Sequence, residues 1–149
     1  MKFHFWHIAL SIFFIALTVS GYLWLAENGR LGTDIPLADF FLMALAAMRL
    51  VRLFTYDIIT AFVRNWFVGA HPESFLGTIG ALLHCPWCTG LWFSFIIVFA
   101  YFATSIAWHV IFVLALSSVV TIFQLITNLI GWSAELKKQQ AKASEAPRC

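Results

Sequence analysis

The chain has 149 residues, of which 62% are hydrophobic, 17% are aromatic and only 11% are charged. Soluble domains carry about a quarter charged residues, so this composition excludes an ordinary soluble domain and indicates an integral membrane protein. The formal net charge of +2 is too small to indicate nucleic-acid binding, and we expect no nucleic-acid partner. Since a membrane-spanning helix needs roughly 20 apolar residues, a chain of this length holds about four spans.

The first predicted span covers residues 5–25, FWHIALSIFFIALTVSGYLWL, which contain no lysine, arginine or acidic residue. The segment is similar to the apolar region of a signal peptide, because Lys2 precedes it and residues 18–20 make a poor small-residue cleavage site. Its length and the aromatic residues at both of its ends favour a span that is not cleaved.

The second predicted span covers residues 37–55 and carries two arginines near its end. At 1.5 Å per residue from Leu37, Arg49 lies about 18 Å into the bilayer and Arg52 about 22 Å. Both side chains are long enough to extend from that depth towards the far headgroups.

Residues 57–68 follow this span, and two geometries fit them. Either one long tilted helix reaches Phe67, or the span ends near Thr55 and residues 57–68 form an amphipathic helix in the membrane interface. We favour the interfacial helix, since Asp57 is a good N-cap residue and the segment is too apolar to project into water.

A candidate anion site is formed by Arg49, Arg52, Asp57 and Arg64, which share one side of a helical projection. Arginines near a helix N-terminus can bind an anion, and the phosphate of a membrane phospholipid is the nearest one. Two alternatives are that the arginines only reach the headgroups and set topology, or that they pair with Asp57 and lock the helices. Asp57 stands five residues from Arg52 and seven from Arg64, so its partner should lie elsewhere in the fold if the helix is not broken there.

The remaining chain is predicted to hold two more spans. Residues 68–84 contain several glycines and are predicted to be a hinge-rich connection. The third span is predicted at 86–103 and the fourth at 110–132, and residues 135–149 form a polar tail. The predicted fold is therefore an all-α integral membrane protein with four transmembrane helices in one domain, residues 1–134, and an interfacial helix. The fourth span carries six candidates for hydrogen bonds between helices: Ser117, Ser118, Thr121, Gln124, Thr127 and Asn128.

Lysines and arginines are distributed unevenly around these spans. They occur at the N-terminus, in the tail and around the connection between the second and third spans, whereas the two opposite loops contain only Arg30. The positive-inside rule therefore predicts that both termini are cytoplasmic.

The stretch HCPWC, residues 84–88, brings two cysteines to the start of the third span. If Cys85 is the N-cap and Pro86 is the first helical residue, the helix dipole and free amides would lower the pKa of the Cys85 thiol. Cys88 lies about one turn further on and could resolve a mixed disulfide. This pattern gives a redox alternative. The simpler interpretation is that both cysteines are small packing residues.

A metal site at the same place would need more ligands. A structural zinc usually takes four Cys or His ligands, and Cys85 and Cys88 supply two. His71 and His84 are the other candidates, although His84 adjoins Cys85 and could hardly bind together with it. We therefore expect no zinc and no other cofactor, with phospholipid as the ligand to consider.

Two patterns, R-x2-R-x4-D-x6-R at residues 49–64 and CPWC-x3-W at residues 85–92, resemble a bacterial and phage membrane-protein family, domain of unknown function 1360. The resembling portion runs roughly from Phe41 to Trp92. The resemblance implies a small protein of the bacterial inner membrane in which these arginines, the aspartate and the cysteines recur. It implies no reaction.

Three functional classes are compatible with the sequence. We expect a nonenzymatic scaffold or accessory subunit, because no catalytic dyad is present and the unbroken apolar spans can pack on a partner. Its partners would be membrane lipids and other membrane subunits or a second copy. One alternative is a thiol–disulfide oxidoreductase that uses Cys85 and Cys88. The other is a channel, transporter or holin-like protein. Its only indication is a polar stripe of the fourth span, formed at intervals of three or four residues by Ser117, Thr121, Gln124 and Asn128.

Overall fold

The computed structural model describes residues 3–32, 34–71 and 74–145. Throughout these ranges the chain forms helices and loops, without a β-strand. The prediction of an all-helical protein is confirmed. The helices are α1 (Phe3–Glu27), α2 (Leu37–Thr55), a short 3-10 helix (Ile58–Thr60), α3 (Ala61–Asn65), α4 (Phe75–His84), α5 (Pro86–Ala103) and α6 (Ile106–Glu145).

Three helices, α1, α5 and α6, contain segments that are long and apolar enough to cross a membrane, with mean hydropathies of 2.1, 1.5 and 2.4. The 19-residue helix α2 is as long as a span but is not in this group. The reason is its three charged side chains, Asp39, Arg49 and Arg52. Of the four predicted spans, three are therefore confirmed as helices that are long and apolar enough to cross a membrane.

Helix α2 packs against both α5 and α6, whereas α1 contacts α5 and α4. Helices α2 and α6 run in the same direction, because Trp108 hydrogen-bonds to Asp39 and Arg49 hydrogen-bonds to Ser117. Helix α5 runs the opposite way, since Tyr101 near its end also hydrogen-bonds to Asp39 near the start of α2. The three helices therefore form an alternating bundle.

We call the two ends of this bundle the thiol end and the acidic end. At the thiol end, α2 stops at Thr55 and α5 begins after Cys85. At the acidic end, α2 begins close to Asp39, and the Arg30 side chain donates a hydrogen bond to the carbonyl of Ala103.

Small residues of α2 allow its close approach to α5 and α6. Ala46 is completely buried and Ala47 is 8% exposed, so the neighbouring backbones come near α2 at these positions. The buried cluster between the three helices consists of Met43, Ala46, Ala47, Ile97 and Ile111.

The segment between α2 and α5 differs from the sequence-based expectation. Instead of one interfacial helix over residues 57–68, the chain forms the 3-10 helix, the five-residue α3 and a turn. The expected hinge-rich connection contains the ten-residue α4, which begins where Ser74 accepts a hydrogen bond from the Gly77 amide. Gly80 in α4 lies so close to the chain before it that an added Cβ would sit 3.0 Å from Phe67 Cβ. Tertiary packing therefore explains a glycine that local propensity assigns to a hinge.

Helix α6 is longer than the predicted fourth span, residues 110–132. It has 40 residues, because no proline or charged cluster interrupts the helical pattern between Ile106 and the lysines of the predicted tail. Arg49 lies beside Ser117, and α2 ends six residues later, so α6 continues past the end of α2 from about residue 123. Every side chain over residues 122–141 is exposed.

Candidate functional site

At the thiol end, Arg49 of α2 forms an ion pair with Asp57, which follows α2, and a hydrogen bond with Ser117 of α6. Arg49 Nη1 lies 2.9 Å from Asp57 Oδ2, and Arg49 Nε donates a hydrogen bond of 2.9 Å to Ser117 Oγ. The two charged side chains are 18% and 27% exposed, so both are mostly removed from solvent. Ser117, one of the predicted interhelical hydrogen bonders, therefore joins Arg49 and Asp57 in one connected group.

Asp57 reaches Arg49 because the helix is broken between them. The carbonyl of Arg52 accepts hydrogen bonds from both Tyr56 N and Asp57 N, and Asp57 then adopts an extended backbone with φ −72° and ψ 146°. Its carboxylate makes no capping bond to the 3-10 helix, so it can turn back along α2. The single long helix that reaches Phe67 is thus not formed, and the partner of Asp57 lies eight residues earlier in the chain.

The side chains of Arg64 and Thr60 donate hydrogen bonds to carbonyl groups in the last turn of α2. Arg64 Nη1 donates to Phe54 O at 2.9 Å and to Thr60 Oγ1 at 3.3 Å. The buried hydroxyl of Thr60 donates to the carbonyls of Leu53 and Asp57. Because helix C-termini leave carbonyl groups without intrahelical donors, these side chains complete the end of α2. Two of the three predicted anion-binding arginines, Arg49 and Arg64, therefore bind to the protein itself.

Arg52 differs from its two neighbours. It is half-buried, and within the parts of the chain that the structure describes its guanidinium group has no hydrogen-bond or ion-pair partner. It lines a groove of about 210 Å³ between α2 and α6 at the thiol end. Of the predicted cluster, Arg52 is thus the residue available to a ligand.

The two cysteines meet at the start of α5. Cys85 is the N-cap, with its Sγ accepting from Cys88 N at 3.3 Å, and the two sulfur atoms lie 2.7 Å apart as free thiols. Hydrogen bonds from the side chain and the backbone of Cys88 hold the pKa of the Cys85 thiol below its usual value. Pro86 is the first helical residue, as the sequence predicts. A lowered pKa increases the fraction of Cys85 that is present as thiolate at neutral pH.

We expect Cys85 to be alkylated by iodoacetamide faster than Cys88 at neutral pH, because a lowered pKa increases the thiolate fraction. The measurement uses a Cys149→Ser background and peptide mass mapping over time. Replacing Cys88 with Ala removes the side-chain donor, so the pH–rate profile of Cys85 should move to higher pH. A profile that is unchanged by Cys88→Ala would show that the thiol contact does not lower this pKa.

The geometry supports a metal site less well than a pair of interacting thiols. Cys85 and Cys88 are brought together, but His71 and His84 do not complete a cluster with them. Across residues 3–32, 34–71 and 74–145, no group of three or more His, Cys, Asp or Glu side chains could hold a metal ion.

Asp39 at the acidic end was missed in the sequence analysis. Its carboxylate accepts hydrogen bonds from Tyr101 Oη at 2.6 Å and from Trp108 Nε1 at 3.4 Å. It therefore connects α2 to both α5 and α6. A carboxylate in the first turn of a predicted span is costly in a membrane, and that cost was the available signal for a partner on another helix.

The predicted polar stripe of the fourth span does not lie on one surface. Ser117 contacts Arg49, whereas Gln124 and Asn128 are exposed and hydrogen-bond to each other at 3.2 Å. The stripe is therefore divided between the interface with α2 and the exposed part of α6.

Comparison with known proteins identifies a family and a curated relative. The family described as "Protein of unknown function (DUF1360)" matches residues 70–127. The UPF0713 protein YngL of Bacillus subtilis (strain 168) is 32% identical over 97 residues, and the match covers 57% of this chain and 75% of that protein. No solved structure matches. The resemblance to this family is confirmed, but the family match extends through α5 into α6 and begins after Arg64, so its extent differs from residues 41–92.

Proposed function

Because this chain belongs to the DUF1360 family, whose description names no activity, we propose a function from the geometry. The protein is a nonenzymatic membrane scaffold or accessory subunit that assembles through the exposed part of α6. The observation that carries this proposal is the run of exposed side chains over residues 122–141, most of which lies past the end of α2.

We propose α2 as the fourth span of a multi-pass protein. Its charged side chains have partners or lie near a surface, which reduces the cost of placing them in a bilayer. Asp39 is bound by Tyr101 and Trp108, Arg49 is bound by Asp57, and Arg52 lies within one turn of the end of the helix. These contacts support a helix that is not purely apolar yet spans the membrane.

The proposed orientation places the thiol end on the cytoplasmic side of a bacterial inner membrane. The basic residues of the second-to-third connection and Lys137 and Lys138 of α6 belong to this end, whereas Arg30 belongs to the acidic end. This distribution follows the positive-inside rule and would put both termini in the cytoplasm.

The exposed part of α6 has the pattern of a helix that pairs with another helix. Leu125, Leu129, Trp132 and Leu136 follow one another at intervals of four, three and four residues, and each is between 44% and 73% exposed. Apolar residues at this spacing form the seam of a coiled coil. Since one stripe can meet an identical stripe across a two-fold axis, a second copy is the partner to test first.

The test is disulfide crosslinking in membranes, with Cys85, Cys88 and Cys149 replaced by Ser. New single cysteines at Leu129 and Leu136 lie on the stripe, and cysteines at Thr127 and Ala134 lie on the opposite face of the same helix. We expect Leu129→Cys and Leu136→Cys to form dimers on oxidation. Thr127→Cys and Ala134→Cys are the matched controls and should stay monomeric.

Equal crosslinking on both faces would indicate random collision instead of a specific seam. Monomers at all four positions would contradict self-assembly through α6. In that case the same four variants would be labelled at the cysteine with a thiol-reactive photo-crosslinker and irradiated in native membranes. A crosslinked product would indicate a different protein partner, and its absence would indicate no partner at this surface.

A further inference from the structure

The groove beside Arg52 combines a cationic group with apolar walls. Four of its lining side chains are apolar and four carry a polar group, and none is a carboxylate. It opens on the outer surface of the α2–α6 pair, since Met48 is 43% and Tyr56 is 61% exposed. The lining residues are Met48, Val51, Arg52 and Tyr56 of α2 and Ser118, Thr121, Ile122 and Leu125 of α6.

The residues around this groove carry an excess of positive charge, which favours binding of an anion. Among the residues that the structure describes, Asp57 is the one carboxylate that pairs with an arginine of the thiol end, and that arginine is Arg49. Arg64 is held by the neutral carbonyl of Phe54. Arg52 therefore faces the groove with its positive charge uncompensated by any residue that the structure describes.

We infer that this groove binds one anionic phospholipid, with its phosphate on the guanidinium group of Arg52 and part of one acyl chain against the apolar wall. Guanidinium groups bind phosphate oxygens through charge-assisted, often bidentate hydrogen bonds. The exposed hydroxyl group of Tyr56 lies at the same groove and can donate to a headgroup oxygen. This inference rests on the proposed placement of α2 in the membrane, because only then does lipid reach the groove.

The chemistry favours an anionic lipid over a zwitterionic lipid. The ammonium group of phosphatidylethanolamine would bring a second positive charge close to Arg52, and the groove lining contains no carboxylate to offset it. A dissolved phosphate ion would fill only the polar part and leave the wall of Val51, Ile122 and Leu125 exposed. A lipid with a net negative headgroup covers both parts.

The experiment is native mass spectrometry of the delipidated full-length protein in detergent. Phosphatidylglycerol and phosphatidylethanolamine with identical acyl chains are titrated separately, and glycerol 3-phosphate is added as a competitor without acyl chains. We expect one phosphatidylglycerol to bind per monomer, phosphatidylethanolamine to bind at least several-fold more weakly, and glycerol 3-phosphate not to displace the lipid.

Three variants locate the site. Arg52→Gln removes the guanidinium charge and should weaken phosphatidylglycerol binding about tenfold or more, since hydrogen bonds to charged groups are among the strong ones. Lys137→Gln removes the same charge from an exposed position of α6 and should leave binding unchanged. Thr121→Leu keeps Arg52 but fills the groove, so it should also weaken binding.

The outcomes distinguish this inference from the proposed assembly through α6. Equal binding by Arg52→Gln and Lys137→Gln, or equal binding of the two lipids, would overturn the anionic site. If Arg52→Gln has reduced helix content by circular dichroism, Thr121→Leu decides the question, and wild-type affinity in that variant would also overturn it. Because binding is read on the monomer peak, failure of the α6 crosslinks would not affect this result.

Discussion

Replacing Asp57 with Asn is expected to destabilise the bundle by about 2 kcal/mol in the free energy of unfolding. The change removes the negative charge that faces Arg49 and leaves a mostly buried guanidinium group without its ion-pair partner. Loss of one member of a buried pair costs several kcal/mol, and a hydrogen bond to a charged group contributes about 1.5–3 kcal/mol. We take the lower part of this range because both side chains keep some exposure to solvent.

The measurement is denaturant-induced unfolding in micelles, followed by helix content. Asp34→Asn is the matched control, because Asp34 is an exposed acid in a loop at the other end of the bundle. A double-mutant cycle with Arg49→Met isolates the pairwise term, and we expect a coupling energy of about 1–2 kcal/mol. If the losses in unfolding free energy of the two single mutants add up to that of the double mutant, the ion pair does not stabilise the folded state.

Replacing Ala46 with Leu should have a comparable or larger effect, about 2–3 kcal/mol. Ala46 is completely buried where α2 meets its neighbours, and Ile97 and Ile111 fill the same cluster. Three additional carbon atoms have no space there, so the side chain must take a strained rotamer or separate the helices. Since helix association in membranes depends on close packing, the loss of contact is not replaced by a gain in hydrophobic burial.

Ala44→Leu is the control for this prediction. Ala44 lies two residues earlier on the same helix and is exposed, so the identical substitution adds the same carbons to an open surface. We expect a change of less than about 0.5 kcal/mol there. If Ala46→Leu and Ala44→Leu unfold at the same denaturant concentration, that result would contradict the close packing of α2 against α5 and α6.

Together, the experiments assign different roles to Arg49 and Arg52, which stand three residues apart on the same helix. Loss of Arg49 should reduce stability, because its hydrogen bonds go to Asp57 and Ser117. Loss of Arg52 should leave the bundle intact and reduce affinity for anionic lipid. In the scaffold that we propose, Arg49 would hold the helices together and Arg52 would hold the lipid beside them.

Much of the helical architecture could be predicted from the sequence, because its causes are local. Long apolar segments without charged residues must form helices in a bilayer, where each backbone group needs an internal hydrogen bond. The predicted start of the third span coincides with α5, since Pro86 favours the first helical position and Cys85 can cap it. The predicted residues 37–55 likewise coincide with α2, which ends at Thr55 before the extended residue Asp57.

The candidate site depended on tertiary structure. The residues of the arginine cluster could be identified from the sequence, because they are charged residues in an apolar context. Their hydrogen-bond and ion-pair partners could not be identified in this way. Asp57 finds Arg49 across a break in the helix, and Ser117, 68 residues from Arg49, completes the group. Local rules relate residues three or four positions apart, whereas these contacts depend on how α2 turns at its end and packs along α6. That packing also decides that Arg49 and Arg64 are occupied while Arg52 faces an open groove.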